Sequence, residues 1–383
     1  MPETPVMPDL AWSDEQMESY RSAGDPLADA VVAELVRGGQ VAAVNQLMGH
    51  LVTNEYPQPA GMPEVVKRYL AQTDALPEWA DLALIQAGEQ VFWRYGPKLV
   101  LILHCYSLPF CYLGANGAQV LVLTERLQSN PTRRILETAQ MLVDVMQPGG
   151  LTASTGRGRC TIQKVRLMHA AVRALAKEAP TWKPSYGLPI NQEDLAGTLM
   201  SFAWIGLDGL EKLGVEVPAA DREAYLHCWN VAGHLLGIRP ELLPRDVRQA
   251  EGLALAVARH QFGPSEAGRA LTRALVEMME HILPGNIFDP LPGLLIRYFL
   301  GERWASWLGL EGSPNLELLA APLRLFNLEL GEALRQSRAL TVLAERVGKL
   351  LVEAAVYVER GGTRPSFSLP TELRQQWGVN WVG

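Results

Sequence analysis

Between Leu99 and Thr124 the chain reads LVLILHCYSLPFCYLGANGAQVLVLT, with no charged side chain and enough length to span a bilayer. His104, Pro109, Asn116 and the glycines at 114 and 117 interrupt the run. Pro109 and the Gly114–Gly117 turn signal divide it into two shorter helices, and no aromatic belt or Lys/Arg asymmetry flanks it. The run is therefore expected to form a buried core hairpin, with a membrane-associated segment as the alternative.

Helical patterns extend on both sides. Upstream, a helix starts near Asp81 and is expected to close at Val91–Tyr95, ahead of Pro97. Downstream, Arg133–Val145 is bounded by Asn130-Pro131 and by Pro148-Gly149-Gly150. Ile162–Lys177 follows, ended by Pro180 and Pro184. Gln192–Leu213 carries a capping Asn191, acids at 193 and 194, and Gly214 just past its end. Further patterns cover Arg222–Leu236, Arg245–His260, Pro264–His281, Pro314–Gln336 and Leu340–Val358. Sustained strand alternation is absent; Val120–Leu123 is the only strand-like run. These patterns predict one large all-α domain over residues 25–360, with an N-terminal arm at 1–24 and a C-terminal tail at 361–383.

Composition narrows the function. With 34 basic and 41 acidic residues the net charge is −7, the wrong sign for nucleic-acid binding. The four cysteines, at 105, 111, 160 and 228, form neither C-x-x-C nor C-x-x-C-H, which argues against a zinc ribbon and a covalently attached haem. The opening MPETPVMPDLAWSDEQ has no apolar signal region, so a cytoplasmic location is expected.

His50, His260 and His281 fall near helix ends, where a cation complements the helix dipole. His104 reads as a hydrogen-bonded core residue. His227 and His234 share one helix side but have no carboxylate at ligand spacing. His169 differs. In TIQKVRLMHAAVRAL it borders an apolar stripe of Val165, Met168, Val172 and Leu175, with Arg166 and Arg173 as its neighbours on the helix. Such an imidazole can ligate haem iron while the arginines meet the propionates; equally, it can be a packed histidine between two solvated arginines. On the preceding helix Arg134, Glu137 and Thr138 adjoin. A guanidinium beside a hydroxyl can bind an oxygen-derived ligand, or the arginine can be solvated and the threonine bonded within its own helix. Gly150–Arg159, with three glycines and two arginines, can cradle an anion but matches no nucleotide-loop pattern.

Taken together, Arg134-x-x-x-Thr138, the glycine-rich connection and Arg166-x-x-His169 resemble the latex-clearing protein and rubber-oxygenase superfamily, which includes an oxygenase of mycophenolic acid biosynthesis. Leu188-Pro-Ile-Asn-Gln-Glu-Asp-Leu195, Ala224-Tyr225…Trp229…Leu236-Gly237-Ile238…Leu243-Pro244 and Arg297-Tyr-Phe-Leu-Gly301…Trp307-Leu-Gly309 are similar to that superfamily too. The resemblance implies a globin-like helical core with added helices and a non-covalent haem b. It also implies His169 as the iron ligand, Arg134 and Thr138 on the dioxygen side, and oxidative cleavage of carbon–carbon double bonds in isoprenoid chains. Two departures stand out. Glu137 occupies the place of a family lysine, and the Gly114–Thr124 run lacks the family's upstream glutamate, Glu125 being the first acid. The expected partners are thus dioxygen and an apolar unsaturated lipid, whose tunnel the 99–124 run can wall. A non-catalytic haem sensor or carrier is the alternative reading.

Overall fold

Side-chain caps start most of the long helices. Asp25 accepts the Ala28 N–H before Pro26–Arg37, and Asp81 accepts those of Ala83 and Leu84 before Leu82–Ile102. Asn191 and Asp194 form a reciprocal capping box at the start of Gln192–Lys212. Asp246 caps Val247–Gln261 and Ser265 caps Glu266–Ile282. In the computed structural model the described residues are 12–38, 63–124, 131–153, 157–283, 289–312 and 341–351, without the side chains of 131–134, 136 and 137. All extended elements among them are helices; the single strand-like feature is an isolated bridge between Gly114 and Phe262. Pattern 314–336 lies outside the described residues, as do His50, the 361–383 tail and Glu125.

The apolar run lies in the core, although its breaks differ from expectation. Pro97 does not end its helix: Leu82–Ile102 runs straight through it for 21 residues. One lost backbone bond and a ring clash cost about 3 kcal/mol, whereas Val91, Phe92, Trp93 and Leu99–Ile102 are all buried there. Pro109 does not break the chain either. A π-helical turn, Leu103–Ser107, precedes it, with the Leu108 N–H bonded to the Leu103 carbonyl. This widened turn lets the proline ring enter Leu108–Tyr112 without meeting the preceding carbonyls. The Gly114–Gly117 turn does separate that piece from Ala118–Leu123, so the strand-like Val120–Leu123 is helical. Among the described residues no helix is long and apolar enough to cross a membrane.

The expected N-terminal arm is also different. Residues 12–24 pack into the body, with Met17 and Arg21 of Asp14–Arg21 buried and Trp12 donating to the Glu241 carbonyl. Met17 and Arg21, one turn apart, anchor this short helix, which an acidic, proline-rich start conceals.

Two close crossings set the scaffold. Leu82–Ile102 packs along Ala219–Leu235, where a Cβ on Gly88 would lie 2.5 Å from the Ala224 carbonyl oxygen. Pro131–Met146 and Arg157–Lys177 form a tight hairpin in which a Cβ on Gly158 would lie 2.6 Å from the Asp144 carbonyl oxygen. Because that obstruction is backbone, Gly158→Val should destabilise the fold by about 1–3 kcal/mol, read as a lower denaturant midpoint with an unchanged slope.

Candidate functional site

The hairpin sets the relative heights of the expected site residues. Thr161 Oγ1 donates to Asp144 Oδ2 at 2.8 Å, and Arg157 pairs with Asp144 at 3.5 Å, pinning the register near the turn. Counting from the Gly158–Asp144 contact, His169 lies about 16 Å along one helix and Arg134 about 15 Å along the other. Thr138, half-buried, sits one turn closer to the connection. The side chains of Arg134 and Glu137 lie outside the description.

The Arg157–Lys177 helix is buried from two sides. Ile162 belongs to the main core. Leu167, Ala170 and Ala171 belong to a second core with Ala28, Val31, Val32, Leu35, Val66 and Tyr69. In the same row as Ile162 stand three half-buried positions, Val165, His169 and Val172, of which Val165 packs against the main core. Of the predicted apolar stripe, Val165 packs against the main core, Met168 is buried and Val172 half-buried, while its end, Leu175, is 63% exposed. A helix held between two cores carries apolar residues nearly all round, so spacing alone does not single out the face that stays open.

Neither neighbouring arginine is solvated. Arg166 grips Asp25 with a fork, Nε to Oδ2 at 2.5 Å and Nη2 to Oδ1 at 2.9 Å, and its Nη1 donates to the Leu235 carbonyl at 3.1 Å. Arg173 pairs with Asp29 at 3.2 Å and donates to the Ile190 carbonyl at 3.2 Å. Arg173 is buried, and its Nη2 has no hydrogen-bond partner among the described residues. Arg166 is therefore committed to the protein, while Arg173 keeps one buried donor for an anionic group within a turn of His169. Asp25 and Asp29 went unrecognised in the sequence. An Asp-Pro cap signal marks Asp25, but nothing local points to partners 141 and 144 residues away.

The remaining candidates separate from this region. His104 is a core residue whose Nδ1 lies 2.7 Å from the Val100 carbonyl, and burial pushes its pKa down to about 4. His227 and His234 flank the exposed Trp79 edge-on, at 5.7 and 5.9 Å, and His227 Nε2 accepts the Asp81 N–H. His260 pairs with the buried Glu193. No group of three or more metal-ligating side chains occurs among the described residues. The glycines that lead into the connection meet an internal carboxyl: Glu89 accepts the Gly149 N–H at 3.2 Å, and the Gly149 and Gly150 N–H groups work against the burial that raises its pKa. Arg159 donates to the Asp74 and Ala153 carbonyls.

Residues 113–328 match the family model described as the ER-bound oxygenase mpaB/B'/rubber oxygenase catalytic domain. The chain is 30% identical over 321 residues to a rubber oxygenase from Streptomyces sp. (strain K30), spanning 82% of this chain and 75% of that protein. A solved structure of latex clearing protein LCP in the closed state superposes with a TM-score of 0.62 at 26% identity, covering 94% of this chain and 89% of that one.

The Glu89 cradle makes stability depend on pH. Burial raises its pKa to about 7, against the two backbone donors that lower it. The folded state thus holds this proton more tightly than the unfolded chain. The associated stability is full below about 4.5 and is lost as pH rises through about 7. Glu89→Gln keeps an acceptor for Gly149 without a charge, so its melting temperature should exceed the parent's above pH 7 and converge with it towards pH 5.

Proposed function

The chain belongs to the mpaB/B' and rubber-oxygenase catalytic-domain family, and on that footing we propose that it is a haem b-dependent oxygenase that oxidises a carbon–carbon double bond of an apolar isoprenoid or other unsaturated lipid. The observation that carries the cofactor reading is the half-open line through Val165, His169 and Val172, beside a buried arginine with a donor to spare. One imidazole among aliphatic side chains suits an axial iron ligand, and the lack of C-x-x-C-H suits a non-covalent group. His169 would hold the iron, and Arg173 a propionate through Nη2. Arg166 can serve the second propionate only by giving up its fork to Asp25. Haem supplies the redox chemistry with dioxygen; the chain supplies binding, orientation and electrostatics.

On the facing helix, Arg134 and Thr138 donate hydrogen bonds that orient dioxygen and favour developing negative charge. Glu137 is the candidate acceptor for an allylic proton, taking the part that the missing upstream glutamate leaves open. An apolar substrate also fits the half-open aliphatic line, since burial of such a chain is worth about 25 cal/mol per Å². A cytoplasmic location remains part of this reading.

The purified protein should be red-brown, with haem extractable into acidic organic solvent. His169→Ala should lose most of it, while single alanine changes at His104, His227 and His234 should keep the Soret band. Retention of a full, unshifted band by His169→Ala would remove it as the ligand.

Arg134→Ala should keep haem yet slow oxygen uptake with an unsaturated lipid by about two to three powers of ten. Haem without any oxygen uptake across a lipid panel would favour the sensor or carrier reading, which the Glu137 departure makes the relevant alternative. For Glu137 itself, ferric electron paramagnetic resonance should give a high-spin signal that Glu137→Lys removes. A low-spin signal with two nitrogen ligands in the unmodified protein would displace Glu137 from the pocket.

A further inference from the structure

We propose that Asp25 and Asp29 are positioning residues for His169, gripping the Arg157–Lys177 helix on both sides of the imidazole through Arg166 and Arg173; this rests on the haem reading above. Arg166 stands three residues before His169 and Arg173 four after, so the pairs act about one turn to either side of the ring. Both acids come from one turn at the start of Pro26–Arg37, where Asp25 is the cap and Asp29 lies a turn along. They are also joined to each other, the Asp25 N–H donating to Asp29 Oδ2 at 3.0 Å. A single rigid corner thus holds the helix at two points.

The surroundings are built around these contacts. A Cβ on Gly237 would lie 2.6 Å from Asp25 Oδ2 and 2.7 Å from Arg166 Nε. One on Gly24 would lie 2.7 Å from Asp29 Oδ2 and 3.0 Å from Arg173 Nε. Any larger residue at either glycine would push into an ion pair. Gln192 spans both glycines, donating to the Gly24 and Gly237 carbonyls at 2.9 and 3.0 Å. Asp25 is buried and Arg166 half-buried, so water has little access to the carboxylate when its partner is lost. Before the imidazole, Gln163 ties this helix to Leu70 and Thr73 by hydrogen bonds at 2.7 and 2.8 Å. Around the imidazole the second core supplies only small or aliphatic side chains, Leu167, Ala170 and Ala171, which resist separation more than axial rotation. Directional ion pairs add the constraint there, because a forked guanidinium–carboxylate contact fixes orientation as well as distance. Asp25 and Asp29 precede the span matched by the family model.

The test uses the full-length protein loaded with haem and compares Asp25→Asn, Asp29→Asn, Asp25→Glu and, as a control, Asp14→Asn, which breaks the exposed Arg259–Asp14 pair elsewhere. Two readouts report on the ligand: the rate of haem transfer to excess apomyoglobin, and the iron–histidine stretching band of the ferrous protein by resonance Raman. Groups that orient a metal ligand typically change metal affinity by roughly 10- to 100-fold. Asp25→Asn and Asp29→Asn should speed haem loss on that scale and shift or broaden the band, with Asp25→Glu intermediate and Asp14→Asn like the parent. If Asp25→Asn does not fold, Asp29→Asn decides, since its carboxylate is 35% exposed and its loss is better tolerated. Variants that only lower the melting temperature, with unchanged haem loss and band, would overturn the positioning role and leave the haem reading intact. A parent protein that takes up no haem would overturn both, and that outcome is visible before any variant is made.

Discussion

Everything at the candidate site depends on how the Arg157–Lys177 helix is held. It is packed from one side by the main core and from another by the small core under Pro26–Arg37, and its first turn lies against the backbone of Pro131–Met146. Gly158 makes that last approach possible, since any side chain there would strike the Asp144 carbonyl. Val165, His169 and Val172 lie in the row that begins with Gly158 and Ile162, and along it they stay half-buried. The position of the imidazole follows from close packing around the rest of its helix.

Charge reinforces that packing in an uneven way. Arg166 has its fork on Asp25 and a third donor on the end of Ala219–Leu235, so it welds three segments together. Arg173 shares one carboxylate with solvent and retains a buried donor. Removing one partner of a buried pair of this kind typically costs about 3–5 kcal/mol, because the other charge is stranded. Two residues alike in sequence context are thereby given different work: one fastens the scaffold and the other can still answer to an anion.

Legibility in the sequence followed the range of the forces involved. The Asn191 cap and the break at Gly114–Gly117 are local effects, and both stand in the structure as read. Pro97 and Pro109 are local signals that tertiary burial and a π-helical turn overrode. The N-terminal arm failed for a related reason, since a short helix is held by Met17, Arg21 and Trp12 against distant partners that no local pattern reveals. The glycine-rich connection was read as an anion cradle; the group that meets its leading glycine is the carboxyl of Glu89, supplied by another helix.

The sequence by itself determined the all-helical class, the helix starts marked by Asp81 and Asn191, and, through the order of loose motifs, the family and the candidacy of Arg134, Thr138 and His169. These depend on composition, spacing and neighbour identity, which are properties of the chain. Tertiary structure alone decided which face of the His169 helix is open, that Asp25 and Asp29 meet its flanking arginines, and that one of those arginines keeps a buried donor. Those outcomes arise from contacts spanning up to 144 residues. Burial and desolvation make such contacts strong, and neither exists until the chain has folded.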